Sequence, residues 1–278
     1  MKDLLSRHGL APLTRLGQHF LVDPGVLRKI VNALDPGPDD TILEIGPGLG
    51  TVTRALASRA GQIVAVEVDR GLLKAMAETL DGLANVRVVE GDALKLDLAA
   101  LVEDSGAVKV VSNLPYYITT PLIFRLLEAR PFPRLVIMVQ EEVARRLAAG
   151  PGEAAYGALT VAVAARYQVR VVTGVGRHAF YPVPGVDSSL LLMLPRPPRD
   201  PDPARWALEA VVRAAFGQRR KMLVGALAGG ELGLDRPGAR RVLEAAGISG
   251  TRRGETLSLE EFEDLARALE TSPGVRPI

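Results

Sequence analysis

The chain has 278 residues, 47% of them apolar, which allows one large folded domain, or one large and one small, with a sizeable core. It contains no cysteine, which excludes disulfides and thiolate metal sites, and no apolar run approaches the roughly 18 residues of a membrane span. With 34 Lys and Arg against 32 Asp and Glu the net charge is +2 and the pI near 9.0, compatible with nucleic-acid binding but not sufficient evidence for it.

The N-terminal stretch MKDLLSRHGLAPLTR lacks the apolar core of a secretory signal, so a cytoplasmic location is expected. Next comes LGQHFLVD at 16–23, followed by a helical pattern from Pro24 to Leu34. Asp23 suits its N-cap, Pro24 its first turn, and Phe20 and Leu21 an apolar staple. Residues 41–51 read TILEIGPGLGT: an apolar strand, glycines at 46, 48 and 50, and then a helical stretch from Val52 to Arg59. Glycine is required where φ is positive or where a ligand lies against the main chain. The spacing matches neither the dinucleotide fingerprint nor a Walker loop. An acidic residue followed by G-x-G-x-G resembles instead the first motif of the class I S-adenosylmethionine-dependent methyltransferases, with Glu44 as the acid. A glycine turn with no ligand is the other reading of this stretch alone.

Two further apolar runs end in acids. Ile63 to Val68 contains Glu67, placed to accept hydrogen bonds from ribose hydroxyls at a strand's carboxyl end, and Val86 to Val89 leads to Asp92, placed to accept from an adenine amine. Helices at 70–80, 121–129 and 141–149 alternate with strands at 108–112 and 135–139, which predicts a parallel, doubly wound sheet. After a helical stretch at 156–165, β-rich runs at 169–175 and 190–194 are expected to pair as an antiparallel hairpin at the sheet edge. The proline-rich segment 195–203, PRPPRDPDP, cannot continue a strand or helix and marks a boundary. Helical spacing alone follows, at 204–216, 220–228, 237–246 and 259–269, with Ser258 and Glu261 forming a capping box and Gly247 suited to a C′ position. The expected organisation is an α/β, Rossmann-like class I methyltransferase domain over 1–195 and a small all-helical domain over 196–278.

Asn113-Leu114-Pro115-Tyr116 directly follows the fourth strand of this series, at the carboxyl edge shared with Gly46, Glu67 and Asp92. A plain strand-to-helix turn would use the same residue types. Their chemistry also suits an adenine amine, whose lone pair is delocalised into the ring. The Asn113 side-chain oxygen and the Pro115 carbonyl could hold its two hydrogens and favour a pyramidal nitrogen, while Tyr116 stacks on the base. Catalysis would then be mostly positioning, which is worth roughly 7 to 11 kcal/mol in good cases. Phe180, in a proline-bordered turn, is a candidate second stacking partner, with a core aromatic as the alternative. The basic clusters at 145–146, 219–221, 240–241 and 252–253 are either solvated helix faces or phosphate contacts.

Taken together, GQHFL at 17–21, EIGPGLG at 44–50, Glu67, GDA at 91–93, NLPY at 113–116, AFYPVPGVDS at 179–188 and FGQRRK at 216–221 resemble the ribosomal RNA adenine dimethyltransferases, in particular the bacterial small-subunit type. The resemblance covers about Gly17 to Leu269. It implies dimethylation, with S-adenosylmethionine, of two adjacent adenosines near the 3′ end of small-subunit rRNA within the assembling 30S subunit, by a monomer with no membrane partner. By the same resemblance the cofactor site falls on His19, Leu21, Gly46, Glu67, Asp92 and Asn113, and Asn113 to Tyr116 with Phe180 form the catalytic edge. Arg219, Arg220 and Lys221 are assigned to RNA. His19 stands where the family usually has asparagine, and Gly185 where it often has lysine, which removes a phosphate-facing cation. With only His8, His19 and His178 and no cysteine, no metal site is expected. Two rivals are a sister enzyme acting on large-subunit rRNA, which should differ at FGQRRK, and a non-enzymatic binder, which would not need the intact edge at Glu67, Asp92 and 113–116.

Overall fold

In the computed structural model, which describes residues 2–13, 17–102, 106–114, 118–197, 199, 202–218, 220–228 and 232–272, the chain begins with α1 (Lys2–Arg7) and β1 (Phe20–Leu21). It continues through α2 (Pro24–Leu34), β2 (Thr41–Ile45), α3 (Thr51–Ala57), β3 (Gln62–Glu67), α4 (Arg70–Thr79) and β4 (Val86–Glu90). β5 (Val108–Asn113), α5 (Thr119–Ala129), β6 (Arg134–Gln140), α6 (Glu141–Ala148) and α7 (Ala158–Ala164) follow. β7 (Tyr167–Val175), β8 (Phe180–Tyr181) and β9 (Ser188–Pro195) complete the strands, and α8 (Arg205–Gly217), α9 (Leu223–Leu227), α10 (Arg236–Ala245) and α11 (Leu259–Glu270) end the described chain. No described helix is long and apolar enough to cross a membrane.

Two compact units result, Met1–Ala144 with Gln168–Pro195, and Arg145–Tyr167 with Arg196–Ile278. The break at 195 coincides with the proline-rich segment. Residues 145–167, which the sequence placed in the first domain, pack with the helices instead, because the apolar faces of Tyr156 and Val161 join the core built on α8 and α11.

The first unit carries a seven-stranded sheet of order β4-β3-β2-β5-β6-β9-β7. β4, β3, β2, β5 and β6 run parallel, and β9 lies antiparallel to β6, between it and β7. Every residue of β2 is buried, as expected of a central parallel strand covered on both faces. On one face lies α2, started by Asp23, whose Oδ1 accepts from the amides of Gly25 (2.6 Å) and Val26 (2.9 Å). Its Val26, Ile30, Val31 and Leu34 form one apolar stripe, which packs against Ile42, Val111 and Val136 of the sheet. Leu34 is fully buried, so Leu34→Ala would cost about 2–5 kcal/mol. The parallel register levels the strand ends: Ile45 pairs with Val66 and Ser112, Glu67 with Glu90, and Asn113 with Met138. Chain order reverses at β2, which has β3 on one side and β5 on the other, and such a reversal opens a crevice beyond the carboxyl ends.

The second unit is helical around Phe262, Leu265 and Leu269 of α11, Val211 and Ala215 of α8, and Leu223, Leu227 and Leu243. Phe216 stacks on Phe262 (5.7 Å between centroids) and meets Tyr156 edge-on (5.9 Å). The expected capping box forms, with the Ser258 amide donating to Glu261 Oε2 and the Glu261 amide to Ser258 Oγ. Glu263 is buried at 1% exposure and is held by Arg196 and Arg199 from the proline-rich segment.

Candidate active site

The crevice is a cavity of about 320 Å³, lined by the ends of β2, β3 and β5, the turns that follow them and β4, and residues 17–21. Its size lies within the range of small-molecule sites. The turn after β2 holds Gly46 at φ 71° and Gly48 at φ 61°, a region that side-chain-bearing residues rarely adopt. A Cβ on Gly48 would also lie 3.1 Å from the Phe20 ring, so the ring closes over the turn only because position 48 has no side chain.

Three carboxyls face this space: Glu44, Glu67 and Asp92. Glu67 Oε1 accepts from the amides of Val68 (2.9 Å) and Asp69 (3.0 Å), and its Oε2 accepts from Gly48 (3.1 Å). A carboxylate offers about four acceptor positions, so one remains, on Oε2. Burial raises the Glu67 pKa, and the three amides partly offset the rise. Asp92 Oδ1 is engaged by the Leu94 amide at 3.0 Å, and its Oδ2 lies 3.8 Å from Lys95 Nζ. Glu44 is the most deeply buried of the three, and burial pushes its pKa up to about 7; the charge of Glu67 adds to the rise and Thr53 opposes it. Thr53 faces this carboxyl, yet neither Glu44 Oε2 nor Thr53 Oγ1 completes a hydrogen bond within the described protein. An orphaned acceptor beside a glycine cradle suits a ligand that brings a donor or positive charge.

Residues 18–20 tie the strand ends together. Gln18 Nε2 donates to Asp69 Oδ2 (2.8 Å), while its Oε1 accepts from the Leu13 amide (2.8 Å). Asp69 Oδ1 meanwhile caps α4 through Gly71 and Leu72. Asn113 Nδ2 donates to the His19 carbonyl (3.0 Å), an arrangement that turns Asn113 Oδ1 away as an acceptor. His19 Nδ1 lies 2.7 Å from the Pro182 carbonyl, and because a carbonyl can only accept, Nδ1 carries the proton. Ser112 Oγ joins β5 to β2 at Ile45 O (2.7 Å).

Residues 12–264 match the ribosomal RNA adenine dimethylase family. The chain belongs to that family. It is 47% identical over 281 residues to the ribosomal RNA small subunit methyltransferase A of Pelotomaculum thermopropionicum, covering 96% of this chain and 94% of that protein. Among solved structures it is similar to a dimethyladenosine transferase from Plasmodium falciparum, at 26% identity and TM-score 0.73 over 89% of this chain and 96% of the other. It is also similar to the 23S rRNA methyltransferase ErmE, at 27% identity and TM-score 0.69 over 91% of this chain and the whole of the other.

For this adenine dimethylase family member, His19, Leu21, Gly46, Glu67, Asp92, Asn113 and Leu114 all line the one cavity. Pro115, Tyr116 and Arg219 lie outside the described residues. Phe180 requires a correction as a stacking partner. It is only 2% exposed, pairs with Leu21 across the β1–β8 ribbon, belongs to the core under the sheet and does not line the cavity. Its ring fills the core rather than facing a base. Arg220 and Lys221 are exposed in the helical unit between α8 and α9, and the predicted helix at 220 begins only at Leu223. Sequence reasoning missed Gln18, Phe20, Thr53 and Asp69. Gln18 and Phe20 lie in the GQHFL stretch without having been given a site role, and Asp69 carried a local signal as an acid directly before a helical pattern.

Proposed function

We propose that this chain is an S-adenosylmethionine-dependent adenine dimethyltransferase acting on two adjacent adenosines near the 3′ end of small-subunit (16S) rRNA. The observation that carries the reading is the convergence of Gly46, Glu67, Asp92 and Asn113 on a single cavity at the carboxyl edge of the sheet. The relatives named for the small subunit are far nearer in sequence than the 23S enzyme, at 47% against 27% identity, which favours a small-subunit substrate. An assembling 30S subunit as partner, a monomeric state and a cytoplasmic location belong to the same reading.

S-adenosylmethionine, when bound, supplies a methyl group activated on a sulfonium. The chain's own contribution is positioning. The Gly46–Gly48 turn lets a ligand approach the backbone, the remaining Oε2 site of Glu67 would accept from a ribose hydroxyl, and Asp92 would accept from an adenine amine. The three cavity carboxyls favour a cationic ligand, and Glu44, whose Oε2 has no hydrogen-bond partner within the described protein and whose pKa is pushed up to about 7, would be the group whose ionisation such a ligand draws out. Asn113 Oδ1, oriented by its Nδ2 bond to His19, would accept one hydrogen of the target amine and aim the nitrogen. Pro115 and Tyr116 keep the roles given by the sequence, a second acceptor and a stacking ring. Each transfer replaces one amine hydrogen with a methyl and releases one proton, so the nitrogen needs no strong base.

The test is mass-spectrometric mapping of N6,N6-dimethyladenosine in small-subunit rRNA from cells with and without this protein, followed by re-methylation of the deficient subunits with purified protein. Loss and restoration at two neighbouring adenosines are expected. An unchanged modification map would refute the reading.

A further inference from the structure

Residues 182–187, PVPGVD, leave β8 beside the cavity and are anchored at both ends. The Pro182 carbonyl is held by His19, which lines the cavity, and Asp187 is held by two bonds: its Oδ1 accepts from the Arg177 amide (2.9 Å) and its carbonyl from the Glu141 amide (3.1 Å). Two prolines further restrict the backbone, and Pro184 is buried. Between these anchors Val183 and Val186 stand 50% and 47% exposed, separated by Gly185, whose surroundings are open. Such a loop cannot fold its valines away, so they meet either water or a partner. Arg177 is exposed at its base, which places a cation beside an apolar tip, a pairing that suits a base and its phosphate.

We propose that residues 182–187 form an apolar wedge that occupies the gap left in the RNA stack by the target adenosine, with Val183 and Val186 against the neighbouring base. This rests on the reading of the cavity as an adenosine site. A base must leave its stack before its amine can be methylated, and the vacated position exposes the face of the next base. Apolar side chains held rigidly at that point stabilise the opened step. The anchor through His19, whose carbonyl holds Asn113, ties the wedge to the edge of the cavity that would receive the amine of the flipped base, so opening and capture occur at one rim.

The test compares two RNAs of the same sequence around the adenosines, one a hairpin in which they are stacked and one single-stranded, with 2-aminopurine beside the target. For each protein the ratio of kcat/KM on the hairpin to that on the single strand is measured, together with the fluorescence rise on hairpin binding. Val183→Ser/Val186→Ser should lower the ratio about tenfold, since covering two half-exposed valines is worth about that factor, and should lose the fluorescence rise. Val183→Leu/Val186→Leu, which stays apolar, should keep both. An unchanged ratio and an unchanged fluorescence rise in the serine variant would overturn the wedge. An unchanged ratio with weakened binding to whole subunits would assign the valines to a ribosomal protein, and would also overturn it. Failure of the wild type to methylate deficient small subunits, assayed beside the two RNAs, would instead count against the adenosine reading itself, with the fluorescence rise on the hairpin still reporting on the wedge.

Discussion

Glu44→Gln separates the burial of the cavity carboxyl from its charge. Folding lifts this group from 4.5 to about 7, with burial as the main cause and the neighbouring Glu67 charge adding to it. Below about pH 4.5 the carboxyl is protonated in both folded and unfolded chains and has no effect on the balance. As the pH rises from there towards 7, the unfolded chain gives up its proton while the folded chain keeps it, so the folded state loses stability over that window. Above about 7 both are ionised and the loss is complete. At 1.36 kcal/mol per pKa unit, the difference between 4.5 and about 7 amounts to about 3 kcal/mol. Glutamine cannot ionise, so the stability of Glu44→Gln relative to wild type should rise by about 3 kcal/mol between pH 4.5 and 8, whatever the offset at low pH. Urea unfolding of both proteins at intervals across this range measures the difference, and most other titrating groups cancel in it. A difference that stays constant with pH would show that Glu44 ionises in the folded chain as it does in water, and the reasoning would fail.

Four further outcomes are expected. Glu67→Ala should weaken S-adenosylmethionine binding by about 1–3 kcal/mol, because ligand hydroxyls lose their acceptor, and calorimetry finding equal affinity would remove that role. Reversing the charges of Arg219, Arg220 and Lys221 should weaken RNA binding and flatten its salt dependence by about 0.7–0.9 in log–log slope for each phosphate no longer neutralised, while cofactor affinity holds. Glu263→Gln should cost about 3 kcal/mol of stability, since it takes the buried charge from Arg196 and leaves it the Glu260 carboxylate at 3.6 Å, and a melting temperature equal to wild type would contradict this. Phe180→Ala should cost about 3–5 kcal/mol through the cavity it leaves in the core, so denaturant unfolding should report the loss directly.

Much of the first unit was legible because its signals are periodic and local. The apolar run at 41–45 became β2, Asp23 and Pro24 started α2 as expected, and the glycines at 46, 48 and 50 all have positive φ. What could not be read depends on distant partners. The β1–β8 ribbon joins Leu21 to Phe180, and two residues show no period, so the ribbon was not visible and the burial of Phe180 could be weighed only as an alternative. The helix at 158–164 was legible, but an apolar face does not name what it packs on, and residues 145–167 were therefore placed in the wrong unit. Glu44 was legible as a motif acid and not as a buried one. Its depth follows from β2 being the central strand, covered on both faces, which is a property of the sheet order rather than of TILEI itself.

The four strand-end groups that line the cavity come from strands far apart in sequence, and the sheet register alone levels them without orienting their side chains. The turn amides orient Glu67 and Asp92, and a further tie comes from outside the sheet, through Gln18, His19 and Phe20. Gln18 engages Asp69 after β3, the His19 carbonyl engages Asn113 on β5, and Phe20 covers Gly48 after β2. The His19 side chain extends the tie to Pro182. A histidine can serve here although the sequence resemblance leads one to expect asparagine. Nδ1 of histidine and Nδ2 of asparagine branch from the same carbon position, so both can present an N–H one bond beyond Cγ. The main-chain bond from Asn113 is indifferent to the side chain at position 19. The replacement therefore keeps the donor and the tie, and places a ring where the shorter amide would end.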